Sequence, residues 1–173
     1  SPVYRSTTGN ARGVAISGNY AYLGVIASGL AIVDISNPAS PGAPVYRATT
    51  GPARGVAISG NYAYVATTNA SLTIIDISDP TSPVDIAIAN TTGVASDVAI
   101  SGNYAYVADG IAGGLAIIDI SDPTNPGLPV YRSTTGNVQR LAIGGNYAYM
   151  GNIASGLAIV DISNPASPGA PVY

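Results

Sequence analysis

The stretch VAISGNYAYLGVIASGLAIVDISNP at residues 14–38 recurs three more times along the chain. The second copy reads VAISGNYAYVATTNASLTIIDISDP, the third gains one residue in VAISGNYAYVADGIAGGLAIIDISDP, and the fourth reads LAIGGNYAYMGNIASGLAIVDISNP. Self-similarity at a fixed spacing is the signature of a repeat architecture. We therefore predict one domain, 1–173, made of the repeats 5–46, 47–88, 89–131 and 132–173.

Each repeat carries signals for four short β-strands. The first two strands of a repeat are separated by Gly-Asn, a two-residue turn typical of a β-hairpin. Pro44 cannot donate to a ladder, so the fourth strand is expected at an outer edge. An up-and-down four-stranded unit repeated about every 42 residues predicts an all-β fold, a β-propeller of four blades. The predicted strands of the first repeat are residues 12–17, 20–25, 29–36 and 43–49.

The phrase GNYAYVADGIAGGLAIIDISDPTNP at residues 102–126 resembles the LVIVD repeat, a propeller repeat of bacterial and archaeal surface and secreted proteins. The resemblance extends over all four copies, although copies one, two and four lack an Asp at the position of Asp109. It implies a propeller, usually of more than four blades, and an extracellular or cell-envelope location. It implies no single activity.

The two ends of the chain suggest how a ring of blades closes. Residues 1–8 match the outer strand of other copies, whereas the C-terminus stops within the equivalent strand, so residues 1–8 form a spare outer strand. Either this segment completes the fourth blade of its own chain, giving a closed four-bladed ring, or two chains exchange it, giving an eight-bladed ring. We favour the homodimer, and an open filament is a third outcome. The expected closure residues are Pro2, Val3, Tyr4, Val172 and Tyr173.

The composition bounds the function. The chain has no His, Cys, Lys or Glu, so almost no general base tuned near neutral pH is available and no catalytic triad can be drawn. We expect no enzyme, no catalytic residue, no cofactor and no metal site. The net charge of −3 and the scattered Arg residues argue against a nucleic-acid partner, and no apolar run is long enough to span a membrane.

The loops that precede the first strand of each repeat differ between copies, as do the loops that join strands two and three. Because both sets lie at one end of a propeller, we expect a variable rim around the channel mouth. Three guanidinium groups there could hold a carboxylate, phosphate or sulfate, or could be solvated rim charges. Asp97 and Asp109 could bind a cation, act on a sugar as a carboxylate pair, or cap turns. The candidate ligand-binding residues are Arg12, Arg54, Asp97, Asp109 and Arg140.

Two functions follow from this reasoning. The first is a non-catalytic repeat scaffold that self-assembles through its termini. Because the chain begins with Ser1 and ends nearly in repeat register, it is expected to be a processed product, a natural fragment or an engineered unit. The second is an extracellular binding or adhesion module that holds a small anion, a cation, a glycan or a protein at the rim. An Asp-dependent hydrolase is a remote alternative.

Overall fold

A computed structural model describes residues 3–173, which form four antiparallel blades arranged about a common axis, as in a β-propeller. Blade 1 contains β1 (Ala11–Ser17), β2 (Tyr20–Val25), β3 (Gly29–Asp34) and β4 (Val45–Arg47). Blade 2 contains β5 (Ala53–Ser59), β6 (Tyr62–Thr67), β7 (Ser71–Asp76) and β8 (Val84–Asn90). Blade 3 contains β9 (Asp97–Ser101), β10 (Tyr104–Asp109), the short helix α1 (Gly110–Gly113), β11 (Gly114–Asp119) and β12 (Val130–Arg132). Blade 4 contains β13 (Val138–Gly144), β14 (Tyr147–Asn152) and β15 (Gly156–Asp161).

The strands of each blade pair in chain order, with the first strand innermost and the fourth outermost. The first hairpin turns on Gly18 at a φ of 54°, a left-handed conformation that glycine adopts without strain. The fourth strand starts at Val45, directly after Pro44, on the outer edge as the sequence predicts. The fold prediction is therefore confirmed.

The observed elements differ from the prediction: β1 begins one residue earlier, β3 and β4 are shorter, and blade 3 contains a helix. The third strand ends at Asp34, because the Asp34 carboxylate accepts a hydrogen bond from the Ser36 N–H at 2.8 Å and turns the chain. The helix α1 was not predicted; it accommodates the residue by which the third copy exceeds the others. The end of β3 and the helix α1 both arise from local turn geometry.

Blades pack face to face through three apolar clusters. We call the side of a blade that faces the next blade its trailing face and the other side its leading face. Tyr22 and Leu30 on the trailing face of blade 1 pack against Val56 and Val65 on the leading face of blade 2. The same arrangement recurs between blades 2 and 3 and between blades 3 and 4. Close-packed aliphatic and tyrosine side chains between sheets are therefore the core of the fold.

The two end faces of the array have no such partner among residues 3–173. Leu157 on the trailing face of blade 4 is 52% exposed, whereas the equivalent Leu30, Leu72 and Leu115 are fully buried. Val14 on the leading face of blade 1 is 65% exposed, whereas the equivalent Val56 is 7% exposed. The innermost strands contact one another in the order β1, β5, β9 and β13, and β13 does not pack against β1 in the described part of the chain.

Candidate functional site: an axial cavity and the two chain ends

The innermost strands of the four blades surround a cavity of about 270 Å³. One residue from each blade lines it, at the same position of every repeat: Arg12, Arg54, Ser96 and Gln139. In blades 1, 2 and 4 this position is skipped by the ladder between the first and second strands, and such β-bulges re-aim a side chain. Arg140 lines the same space. We call the space that these five residues line the axial cavity.

The axial cavity thus brings together the three arginines that sequence reasoning placed near one opening. Ser96 and Gln139 were missed, although their position in the loops GVASD and GNVQR matches that of Arg12 in GNARG. Aligning the four loops by repeat register would have found them.

Asp97 lies beside this cavity and connects blades 3 and 4. Its Oδ1 accepts a hydrogen bond from the Val98 N–H at 3.1 Å, and its Oδ2 accepts one from the Leu141 N–H at 3.2 Å. A guanidinium nitrogen of Arg140 lies 3.9 Å from Oδ1. Burial raises the pKa of the Asp97 carboxyl, although both N–H groups and the charge on Arg140 act to lower it.

Asp109 is placed differently from Asp97 and is not part of the axial cavity. It is fully buried, and its Oδ2 accepts hydrogen bonds from the Thr92 N–H and hydroxyl at 3.1 Å and from the Gly93 N–H at 3.0 Å. The carboxylate therefore fastens the loop before β9 to the end of β10. The structure does not bring Asp97 and Asp109 together as a pair at the rim.

In blades 2 and 4, a different polar side chain occupies the position of Asp109 and also forms hydrogen bonds. In blade 2, the hydroxyl groups of Thr67 and Ser71 form a hydrogen bond of 2.7 Å, in which either can be the donor. In blade 4, Asn152 donates to the Thr135 carbonyl at 2.6 Å. The last residue of the second strand thus makes hydrogen bonds that hold neighbouring segments in place. In the sequence, the only sign of this role is that one repeat position carries different polar residues in different copies.

Near the N-terminus, residues 3–8 lie against blade 1. The Arg5 guanidinium donates to the Pro41 carbonyl at 3.1 Å, and the Thr8 N–H donates to the Tyr46 hydroxyl at 3.1 Å. The same two contacts connect blades 3 and 4. The Arg132 guanidinium donates to the Pro168 carbonyl, and the Thr135 N–H donates to the Tyr173 hydroxyl. Val3 lines a groove against blade 1, Tyr4 is exposed, and Pro2 lies outside the described residues. The segment therefore sits where the outer strand of a blade preceding blade 1 would lie.

The C-terminal residues begin the outer strand of blade 4. Val172 and Ile159 exchange two backbone hydrogen bonds, of 2.8 and 2.9 Å. Val45 pairs with Ile32 in blade 1 at the equivalent position. Beyond this bridge, β15 has no partner strand within residues 3–173 at the positions where β3 pairs with Arg47.

Other groups of functional side chains are sparse. Among residues 3–173, no three acidic, His or Cys side chains come together in a way that could hold a metal ion. No helix in this part of the chain is long and apolar enough to cross a membrane.

Comparison with solved structures identifies the same arrangement of blades at low sequence identity. The computationally designed Ika4 protein is 13% identical, with a TM-score of 0.72 over 93% of this chain and 96% of that chain. The computationally designed Ika8 protein is 10% identical, with a TM-score of 0.72 over 94% of this chain but only 48% of that chain. Glutaminyl cyclase from Myxococcus xanthus is 16% identical, with a TM-score of 0.57 over 91% of this chain and 66% of that chain. At these identities the likeness concerns the fold alone.

Comparison with curated protein sequences finds no match. The LVIVD-repeat family, in contrast, matches at residues 8–44, 50–91, 92–131 and 135–170, which is most of the chain. The four matches coincide with the four blades. The chain therefore belongs to the LVIVD-repeat family of β-propeller proteins.

Proposed function

We propose that the chain is a non-catalytic propeller scaffold that assembles with a second copy of itself to form an eight-bladed ring. In this assembly the trailing face of blade 4 of each chain covers the leading face of blade 1 of the other. The carrying observation is the exposure of these two faces, since the equivalent faces between consecutive blades are buried.

The strands of the two exposed faces have the same sequences as strands that pack between blades 1 and 2. The first strand of blade 1 reads ARGVAIS, which is identical to the first strand of blade 2. The third strand of blade 4 reads GLAIVD, which is identical to the third strand of blade 1. A contact between blade 4 and the partner's blade 1 would therefore repeat the contact between blades 1 and 2 within the chain. Interfaces of the same residues pack with the same geometry, which favours continuing the array over a different mode of closure.

The terminal segments support the same arrangement. Residues 5–8 sit where the outer strand of a blade preceding blade 1 would lie, and the outer edge of β15 pairs only at Val172 within the described residues. In the proposed ring, residues 5–8 of one chain continue the strand that Val172 and Tyr173 of the partner begin. Pairing both ends leaves no open sheet edge, the feature that would otherwise promote aggregation.

The fold comparisons are consistent with this spacing of blades. The TM-score is 0.72 both for Ika4, of which 96% is covered, and for Ika8, of which 48% is covered, so these likenesses are compatible with either closure of the ring. A non-catalytic role is supported by the absence of His, Lys, Glu and Cys from the chain. From family membership we also propose an extracellular or cell-envelope location, which fractionation of the cells that make the protein would test.

The test is the absolute mass in solution, by light scattering behind a sizing column over a tenfold concentration range. We expect twice the chain mass of 17.2 kDa. Leu157→Asp should give a monomer, because it places a charge in the proposed interface. Leu128→Asp is the matched control, since Leu128 is 92% exposed on a turn away from both faces.

A wild-type monomer at every concentration, or a mass that keeps growing, would contradict the eight-bladed ring. An unchanged dimer in Leu157→Asp would show that some other surface holds the two chains together.

A further inference from the structure

We propose that the axial cavity is a binding site for a small polyvalent oxyanion, recognised by its sulfate, phosphate or carboxylate groups. All five lining residues belong to one chain, and in the proposed ring the same residues of the second copy would face the same central channel. Anion binding and assembly are therefore measured separately on the same samples.

The first argument is the state of the guanidinium groups. Elsewhere in the described chain the arginines have partners: Arg47 donates to Asp85 at 2.8 Å, and Arg5 and Arg132 donate to proline carbonyls. Within residues 3–173, Arg12 and Arg54 make no hydrogen bond or ion pair with the protein, although each guanidinium carries five N–H donors. The two guanidinium groups that have no protein partner within the described residues therefore both line the axial cavity.

The second argument is the distribution of charge. Half of the six arginines of the chain line this one space. Six of the nine Asp residues lie instead on the turns that follow the third strands, at the opposite ends of the blades. Like charges gathered around a concave surface focus a positive potential and attract an anion. The acidic turn residues are Asp34, Asp76, Asp79, Asp119, Asp122 and Asp161.

The third argument is the orientation of Asp97, the acidic side chain nearest the cavity. Its two oxygens are taken up by the Val98 and Leu141 N–H groups, and Arg140 is 3.9 Å away, longer than a direct hydrogen bond. Asp97 thus holds blades 3 and 4 together while leaving the Arg140 guanidinium available. The carboxylate also repels an anion, which sets a limit on affinity that can be tested.

The nature of the ligand follows from these donors. A guanidinium binds the two oxygens of a carboxylate, sulfate or phosphate side by side. Groups from different blades can contact different faces of the same anion, which favours a polyvalent ion over chloride. The volume of about 270 Å³ lies just below the usual range for small-molecule sites, which begins at about 300 Å³. The lining offers polar side chains and no large apolar surface, so an apolar ligand is disfavoured.

The experiment is a calorimetric titration of the full chain with sulfate, phosphate and citrate, each at an ionic strength held constant with sodium chloride. We expect at least one of the three to bind saturably, with about tenfold or greater preference over chloride. The ranking of the three identifies whether tetrahedral anions or carboxylates are recognised.

Substitutions distinguish anion binding at the axial cavity from a general electrostatic attraction to the arginines of the chain. Arg12→Gln combined with Arg54→Gln should lower the affinity at least about tenfold, and Arg140→Gln alone should also lower it. Arg47→Gln is the matched control: it removes the same charge outside the cavity and should change the affinity by less than about twofold. Asp97→Asn should raise the affinity, because it removes the nearby negative charge.

Absence of saturable binding by all three anions would overturn the proposal, as would an equal loss of affinity in Arg47→Gln. Light scattering on the same samples reports assembly independently, so a monomer that binds the anion contradicts only the ring.

Discussion

At the scale of single residues, the Asp of the recurring D-I-S phrase does the same work in every blade. Its Oδ1 accepts a hydrogen bond from the N–H of the Ser two residues later, at 2.8 Å in each case. This hydrogen bond stabilises the ionised form and lowers the pKa of each carboxyl. These residues therefore satisfy backbone N–H groups at the turn.

Acid stability follows from the sign of these shifts. A carboxyl whose pKa is lower in the folded state contributes stability above its unfolded value of 3.8, and this contribution is lost as the pH falls through the folded pKa. The contribution of Asp97 to stability changes with pH in the opposite direction. Burial raises the pKa of its carboxyl, so its protonation as the pH falls favours the folded state. The lowered groups outnumber it, so we expect the free energy of unfolding to decrease below about pH 4.

Two substitutions check this assignment. Asp119→Asn should make the free energy of unfolding less dependent on pH below 3.8, whereas Asp97→Asn should remove the gain in stability that protonation of Asp97 gives as the pH falls toward 3.8. Urea unfolding at a series of pH values measures both. Changes of the same sign in the two variants would contradict the assignment.

At the scale of secondary-structure elements, the backbone of β5 approaches two glycines of blade 1 closely, whereas blades 2 and 3 carry Ala66 and Ala108 at the position of Gly24. A Cβ atom at Gly13 would collide with the Arg54 carbonyl oxygen of the next blade, and a Cβ atom at Gly24 would lie 2.6 Å from that oxygen. Gly151 is the equivalent of Gly24 in blade 4, and its Cβ atom would meet nothing closer than 3.8 Å. The two positions differ because no further blade of this chain packs on blade 4.

This pair predicts a contrast between folding and assembly. Gly24→Ala should lower the free energy of unfolding by about 1–3 kcal/mol, because the backbone of β5 must move. Gly151→Ala should leave the fold intact but weaken the dimer, since the partner's β1 would supply the colliding carbonyl. Urea unfolding and light scattering on both variants measure the two effects. A Gly151→Ala variant that dimerises like the wild type would count against the proposed contact between blade 4 and the partner's blade 1.

At the scale of the whole molecule, large apolar side chains remain exposed on the two end faces. Burying such a side chain stabilises by about 1.5–3 kcal/mol, so covering these faces should contribute much of the stability of the assembled protein. The exposed residues of the end faces are Val14, Ile16, Tyr147, Tyr149 and Leu157.

The thermal midpoint should therefore depend on protein concentration. When unfolding is coupled to dissociation, mass action raises the midpoint, here by roughly 3–5 °C for a hundredfold increase in concentration. Scanning calorimetry of the wild type over that range measures the shift, and Val14→Asp should abolish it. A wild-type midpoint independent of concentration would favour a chain that closes on itself.

The sequence by itself determined the repeats, the blades and the limits of the second strand. These features are local: β2 was predicted as residues 20–25 and is observed as Tyr20–Val25, because a Gly-Asn turn and a run of apolar residues define it without reference to the rest of the chain. The gathering of Arg12, Arg54 and Arg140 also followed from the repeats, since all three stand in loops that enter the innermost strands at one end of the propeller.

Only the tertiary structure decided three further points. It separated Asp97, beside the cavity, from the buried Asp109, because side-chain direction at a loop depends on which backbone N–H groups lie within reach. It placed residues 3–8 against blade 1, a position that the sequence did not specify. It also left the end faces uncovered: the same Leu is buried in three blades and exposed in the fourth, because burial is set by the neighbour that packs on a face and not by the residue itself.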